Sequence, residues 1–163
     1  LKQYYGENNG HAFEQAAIVA SRELEEVTLH YGFQDEWAST KQGHMGNSNS
    51  SAIKVPALTL NALIAKHHMT NIPFEFLQFD VEGVEKEIIV ATDFSTILAK
   101  FICVEVIHMS PHSIWVIDKH LLNFGYEPIV DEIYWPAYKR RKEEIGEKPE
   151  PRHFNKLYTK KEQ

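Results

Sequence analysis

The sequence predicts an α/β fold with a largely parallel sheet. Three observations predict it. The chain has 163 residues, enough for one domain that buries roughly 70% of its unfolded-chain surface. After a short strand at Ile53-Lys54-Val55, patterns of helical and strand period alternate as helix, strand, helix, strand, helix, strand; such alternation builds βαβ units. The run Phe101–Ile107 (FICVEVI) is short, β-rich and almost wholly apolar, as in a strand covered on both faces.

The elements follow in order. Phe13–Ala20 (FEQAAIVA) is an apolar run that reads as a buried strand. Glu26–Gly32 alternates Val27, Leu29 and Tyr31 with polar neighbours, so it reads as a half-exposed strand. Gln34–Ser51 is rich in Gly, Asn and Ser and is expected to be a mobile surface loop. The strand at Ile53-Lys54-Val55 is expected to end at Pro56. Thr59 can cap the next helix, with Leu60, Leu63 and Ile64 on one face. Phe74–Asp80 (FEFLQFD) is a buried strand. Val81–Ala91 places Val81, Val84, Ile88 and Ala91 at helical spacing, with Glu82, Glu85, Lys86 and Glu87 mostly opposite. Ser113–Asn123 is helical through Ile114, Ile117 and Leu121, and Gly125 offers a left-handed cap. Tyr126–Val130 and Phe154–Thr159 are the last strands, separated by an excursion at Ile133–Arg152.

Composition removes several classes. Hydrophobic residues make up 43% and charged residues 25%, so the chain is not a disordered or low-complexity one. A single cysteine, Cys103, excludes an intramolecular disulfide framework and a cysteine-rich zinc site. No apolar run approaches the ~18 residues a membrane span needs, and Leu1–Tyr5 is not a signal peptide; a cytoplasmic location is the expectation. The net charge of −6 is uneven: residues 1–138 carry −10 and residues 139–163 carry +4. The acidic body repels nucleic-acid phosphate, and the basic tail, with Lys139-Arg140-Arg141-Lys142 and Lys160-Lys161, is read as solvated. No nucleic-acid partner is expected.

In open α/β sheets, ligands bind at the carboxyl ends of strands, and two strands here end in acid. Asp80 ends the first and is followed by Glu82 and Glu85 in DVEGVE. Glu82 is expected in the first turn of the next helix, where the dipole favours a carboxylate; the same arrangement presents acids to a ligand. Glu105 lies inside FICVEVI, where a carboxylate is costly unless paired or at the strand end. His108 follows on the same edge and is a candidate general base beside Glu105. His108 and His112 have HxxxH spacing, but Pro111 interrupts it, so no metal site is assigned. His67 and His68 are expected at the surface. No GxSxG, P-loop, GxGxxG, CxxC or HExxH is present.

Four segments in series resemble the C-terminal two-thirds of an FkbM-type methyltransferase domain. They are Val55–Ile64 (VPALTLNALI), Phe74–Ile89 (FEFLQFDVEGVEKEII), FICVEVI and Leu121–Pro128 (LLNFGYEP). The most specific is the apolar strand closed by Asp-Val-Glu-Gly-x-Glu. The resemblance covers roughly residues 5–131, which makes 1–131 a partial domain and 132–163 a C-terminal insertion, last strand and basic tail. It implies a class I, Rossmann-like three-layer sandwich, incomplete and lacking its first two strands. It also implies an S-adenosylmethionine-dependent O-methyltransferase acting on a hydroxyl of a sugar or other small molecule. Residue by residue, it puts Asp80 beside the cofactor's methionine moiety and the substrate, with Glu82 and Glu85 holding that edge. It puts Ala17 and Ile18 at the adenine pocket and Glu105 as the acid of the family's fifth strand. Asp80 or His108 is the base for the acceptor hydroxyl. The family does not generally require a metal.

The family's glycine-rich cofactor turn and its ribose-binding acid are not in these residues. In that fold the first and second strands sit between the third and fourth. The chain, which opens on Leu, is therefore expected to be an N-terminally truncated fragment that alone neither folds stably in the family's way nor binds the cofactor tightly. Upstream coding sequence for a strand and Asp-x-Gly-Ala-x-x-Gly would support this. The alternative is a non-catalytic remnant kept as a binding or structural module.

Overall fold

The computed structural model describes residues 16–31, 38–39, 51–81, 83–107, 109–129 and 155–161. The chain divides into two compact units, Leu1–Thr59 and Leu60–Gln163, each with its own four-stranded sheet.

In the first unit the strands are β1 (Ala17–Ile18), β2 (Glu26–Tyr31), β3 (Ala38–Ser39) and β4 (Ser51–Leu58), in the order β1-β4-β2-β3. Only the β1–β4 pair is parallel. Val27 and Leu29 pair with Val55 and Ile53, so the predicted alternation of β2 is realised, and Val19, Val55 and Ala57 are buried. Two expectations are corrected here. Ala38 and Ser39, assigned to a loop, form a strand on β2; the rest of that loop before Ser51 lies outside the described residues. Pro56 does not end β4 but sits inside it. The Ala57 amide donates to the Glu25 carbonyl at 2.9 Å on the β2 side. Backbone alternation therefore turns the Pro56 nitrogen to the other edge, where β1 pairs from Ala57 onward. The missing N–H removes no ladder bond there.

The second unit holds α1 (Leu60–Lys66), β5 (Pro73–Phe79), α2 (Glu85–Ala91), β6 (Leu98–Glu105), α3 (Pro111–Asn123), β7 (Tyr126–Pro128) and β8 (Asn155–Lys160). Its sheet order is β5-β6-β8-β7. β5 and β6 are parallel, while β8 is antiparallel to both β6 and β7. Three strands thus run one way and the last strand of the chain is inserted against them. Parallel β5 and β6 need a crossover, and α2 supplies it.

Register divides the residues of this sheet between two faces. Phe79, Ile102, Val104, Tyr126 and Tyr158 lie on one face and are almost completely enclosed. That face meets α3, since Asp118 of α3 bonds Lys156 and Tyr158 of β8. The Phe94 ring lies edge-on to Phe79 and Tyr126 there. The other face carries Phe74, Phe76 and Gln78 of β5 with Phe101, Cys103 and Glu105 of β6; these are half-buried or exposed, Phe76 at 52%.

Helix boundaries follow local chemistry. The α1 face is as expected, with Leu60 and Ile64 buried. α3 starts two residues earlier than predicted. Ser110 caps it by accepting the Ser113 amide at 3.1 Å, and Pro111 occupies the first turn. Proline opens this helix rather than interrupting it, because a first-turn residue needs no amide donor. Gly125 takes φ 80° after α3, as predicted. α2 is shorter than predicted: it begins at Glu85, not Val81. The last strand forms as anticipated and carries Lys160, while Lys161 pairs with Glu127 at 2.5 Å. Lys160 therefore belongs to the sheet, rather than to a free tail, and Lys161 is tied to Glu127 of β7.

Candidate functional site

The parallel pair β5–β6 determines what the site can be. Its register matches Gln78 with Cys103 and Phe79 with Val104. The next step along both strands brings Asp80 level with Glu105. The two predicted acids therefore stand at the carboxyl ends of adjacent parallel strands, on the face opposite the Phe79–Val104 core. Asp80 is exposed and Glu105 half-buried.

Electrostatics agree with this placement. Burial pushes the Cys103 thiol up from its ordinary value, and the nearby Asp80 carboxylate pushes it further. Gln78 Nε2 lies 3.4 Å from Asp80 Oδ2. Gln78 and Cys103 thus belong to the surroundings of Asp80 although neither was a predicted site residue. The signal that could have found them is period two: in FEFLQFD and FICVE they precede the acids by two positions and share their face.

Glu85 overturns its expected place on a polar helix face. It is 3% exposed. One carboxylate oxygen accepts the Val81 amide at 2.9 Å and the Gly83 amide at 3.1 Å; the other accepts Gly83 at 3.1 Å. Gly83 has φ 99°, a conformation that L side chains resist. The turn and its acid explain the late start of α2.

Glu82 and His108 lie outside the described residues, so the base role suggested for His108 and the neighbourhood of Glu82 rest on sequence alone. Ala17 and Ile18 form β1 in the first unit and are half-buried. His112 is in the first turn of α3, its ring stacked on Trp115 at 5.9 Å. Among the described residues, no group of three or more His, Cys, Asp or Glu could hold a metal ion. No helix among them is long and apolar enough to cross a membrane.

The edge can therefore offer carboxylates to a cationic or hydroxyl-bearing ligand. A model of the methyltransferase FkbM domain matches residues 5–128. No curated protein and no solved structure matched.

Proposed function

The chain belongs to the FkbM methyltransferase family, and on that premise we propose that it carries the acceptor side of an S-adenosylmethionine-dependent O-methyltransferase with a Rossmann-like fold. The observation that carries the reading is the family match over 5–128, which includes DVEGVE at the end of β5. The parallel β5-α2-β6 crossover and the paired acids Asp80 and Glu105 support it. The acceptor proposed is a hydroxyl of a sugar or another small molecule.

S-adenosylmethionine, when bound, supplies an electrophilic methyl group on a positively charged sulfur. The chain's part is to present an oxygen in line with that methyl and to take its proton. Asp80 is the described residue suited to both tasks. It is exposed at the strand end, it is an acceptor for a hydroxyl proton or hydrogen bond, and its negative charge favours a cationic neighbour. Glu105 adds a second negative charge beside it. Ala17 and Ile18 are the apolar residues proposed for the adenine.

The alternative reading is a non-catalytic module. Thermal melting and methyl transfer separate the two. The chain alone is expected to melt without an upward shift on adding S-adenosylmethionine. Extended upstream through its reading frame, it is expected to release S-adenosylhomocysteine with hydroxyl acceptors, and Asp80→Asn should lower that rate at least about 100-fold. Product release by the extended wild type that Asp80→Asn leaves unchanged would remove Asp80 from the chemistry. Cofactor binding without turnover on any hydroxyl would favour the module.

A further inference from the structure

A carboxylate leaves water only against compensation, and Glu85 finds its compensation in an unusual place. An N-cap acid ordinarily serves amides inside the first turn, and a capping-box acid reaches back only as far as the N-cap amide. The Glu85 carboxylate instead serves amides upstream of α2, those of Val81 and Gly83. The helix's own N-cap, Val84, makes no side-chain bond. Glu85 therefore closes the chain back on the segment that leaves β5.

The Val81 nitrogen belongs to the peptide unit that begins at Asp80. That unit is planar, so fixing its N–H direction fixes ψ of Asp80, and the rotamers open to a side chain depend on its φ and ψ. Gly83 at φ 99° lets the turn close tightly enough for one carboxylate to reach both amides. A single buried acid, five residues downstream, thereby sets how Asp80 leaves its strand. We propose that Glu85 is a positioning residue for Asp80: by gripping the Val81 and Gly83 amides it fixes the backbone that leaves Asp80 and so narrows the rotamers of the Asp80 carboxylate at the edge shared with Cys103 and Glu105. The proposal rests on the methyltransferase reading only for what Asp80 does once positioned.

Cys103 offers a reporter that needs no ligand. It is the only cysteine in the sequence and half-buried, and it feels the Asp80 carboxylate. The rate of its alkylation by iodoacetamide, followed against pH, reads the charge beside it. Asp80→Asn is expected to lower the apparent thiol pKa and to raise the rate at pH 8 about twofold. Glu85→Ala should do the same while Asp80 is still present, and Glu85→Gln, which keeps one acceptor oxygen for the two amides, should restore most of the wild-type profile. In the Asp80→Asn background, Glu85→Ala should add nothing.

An unchanged Cys103 profile in Glu85→Ala overturns the proposal. So does a Glu85→Ala effect of equal size in the Asp80→Asn background, because it would then act through exposure of the thiol and not through Asp80. If Glu85→Ala does not fold, Glu85→Asp and amide exchange decide: the shorter acid does not reach both amides, so Val81 and Gly83 must be protected in the wild type and exchange faster in Glu85→Asp, and equal rates overturn the idea. A chain extended upstream that shows no affinity for S-adenosylmethionine would remove the methyltransferase reading and leave this result standing on its own.

Discussion

Tyr126 and Tyr158 are fully enclosed phenols in the second unit, and each hydroxyl has an acceptor. Tyr126 donates to the Ala99 carbonyl at 2.8 Å and lies 3.2 Å from the Ile97 carbonyl. Tyr158 donates to Asp118 at 2.8 Å. Burial pushes the Tyr126 phenol up to about 12. Burial and the Asp118 carboxylate push Tyr158 up as well. A raised folded-state value means that the folded chain holds these protons while the unfolded chain releases them, from about pH 10 upward. The stability they contribute is whole below pH 10 and is lost as pH rises toward the folded values. Urea unfolding of the wild type between pH 9 and 12 should show a decline starting near pH 10, of which Tyr126 accounts for up to about 3 kcal/mol. Tyr126→Phe should flatten that part of the decline, and an unchanged slope would mean that the phenol ionises freely in the fold.

Elements are held by pairs of side chains that the sequence separates widely. β8 is the clearest case. Lys156 of β8 lies 2.6 and 2.7 Å from the two oxygens of Asp118 on α3, which also accepts from Tyr158. The ion pair is about a quarter exposed, so water screens it only in part. Removing Asp118 leaves a buried hydroxyl and a partly buried ammonium without their partner. Asp118→Ala is expected to destabilise the chain by about 2 kcal/mol in urea unfolding, against well under 1 kcal/mol for removing Glu26 from its exposed pair with Lys54. At this scale the sequence was informative wherever one periodicity dominated. β2 and α3 were legible because their apolar residues recur at a single spacing, and β5 and β6 because they are short apolar runs, although only Phe79 of β5 is buried. α2 was not, because Val81 and Val84 fit a helix by spacing while a long-reaching contact from Glu85 claimed the amides ahead of it. Pro56 misled for a related reason: a proline forbids a ladder bond only on the edge its nitrogen faces, and that edge is a property of pairing.

The whole chain comprises two units, and among the described residues the second carries most of the enclosed core: Ile89, Phe94, Ile97, Ile102, Val104, Ile117 and Leu121 are fully buried within residues 60–163. Burial of this kind, at about 25 cal/mol per Å² of apolar surface, is the main source of stability. Residues 60–163 expressed alone should therefore melt cooperatively by circular dichroism. The same piece ended at residue 154 should not, because β8 stands between β6 and β7 and its loss parts them. A cooperative melt of the shorter piece would show that β8 is an accessory to this sheet.

The sequence by itself determined the family, the alternation of helix and strand, and the acids that end β5 and β6, because these depend on residue type at fixed local spacing. The tertiary structure alone decided that β8 enters between earlier strands, that the sheet residues fall into two sheets, that Gln78 and Cys103 share the face of Asp80, and that Glu85 is buried. Those facts depend on pairing and register between distant segments, which a one-dimensional pattern does not contain. Spacing can say that a carboxylate follows a turn; only the folded backbone says which amides it reaches.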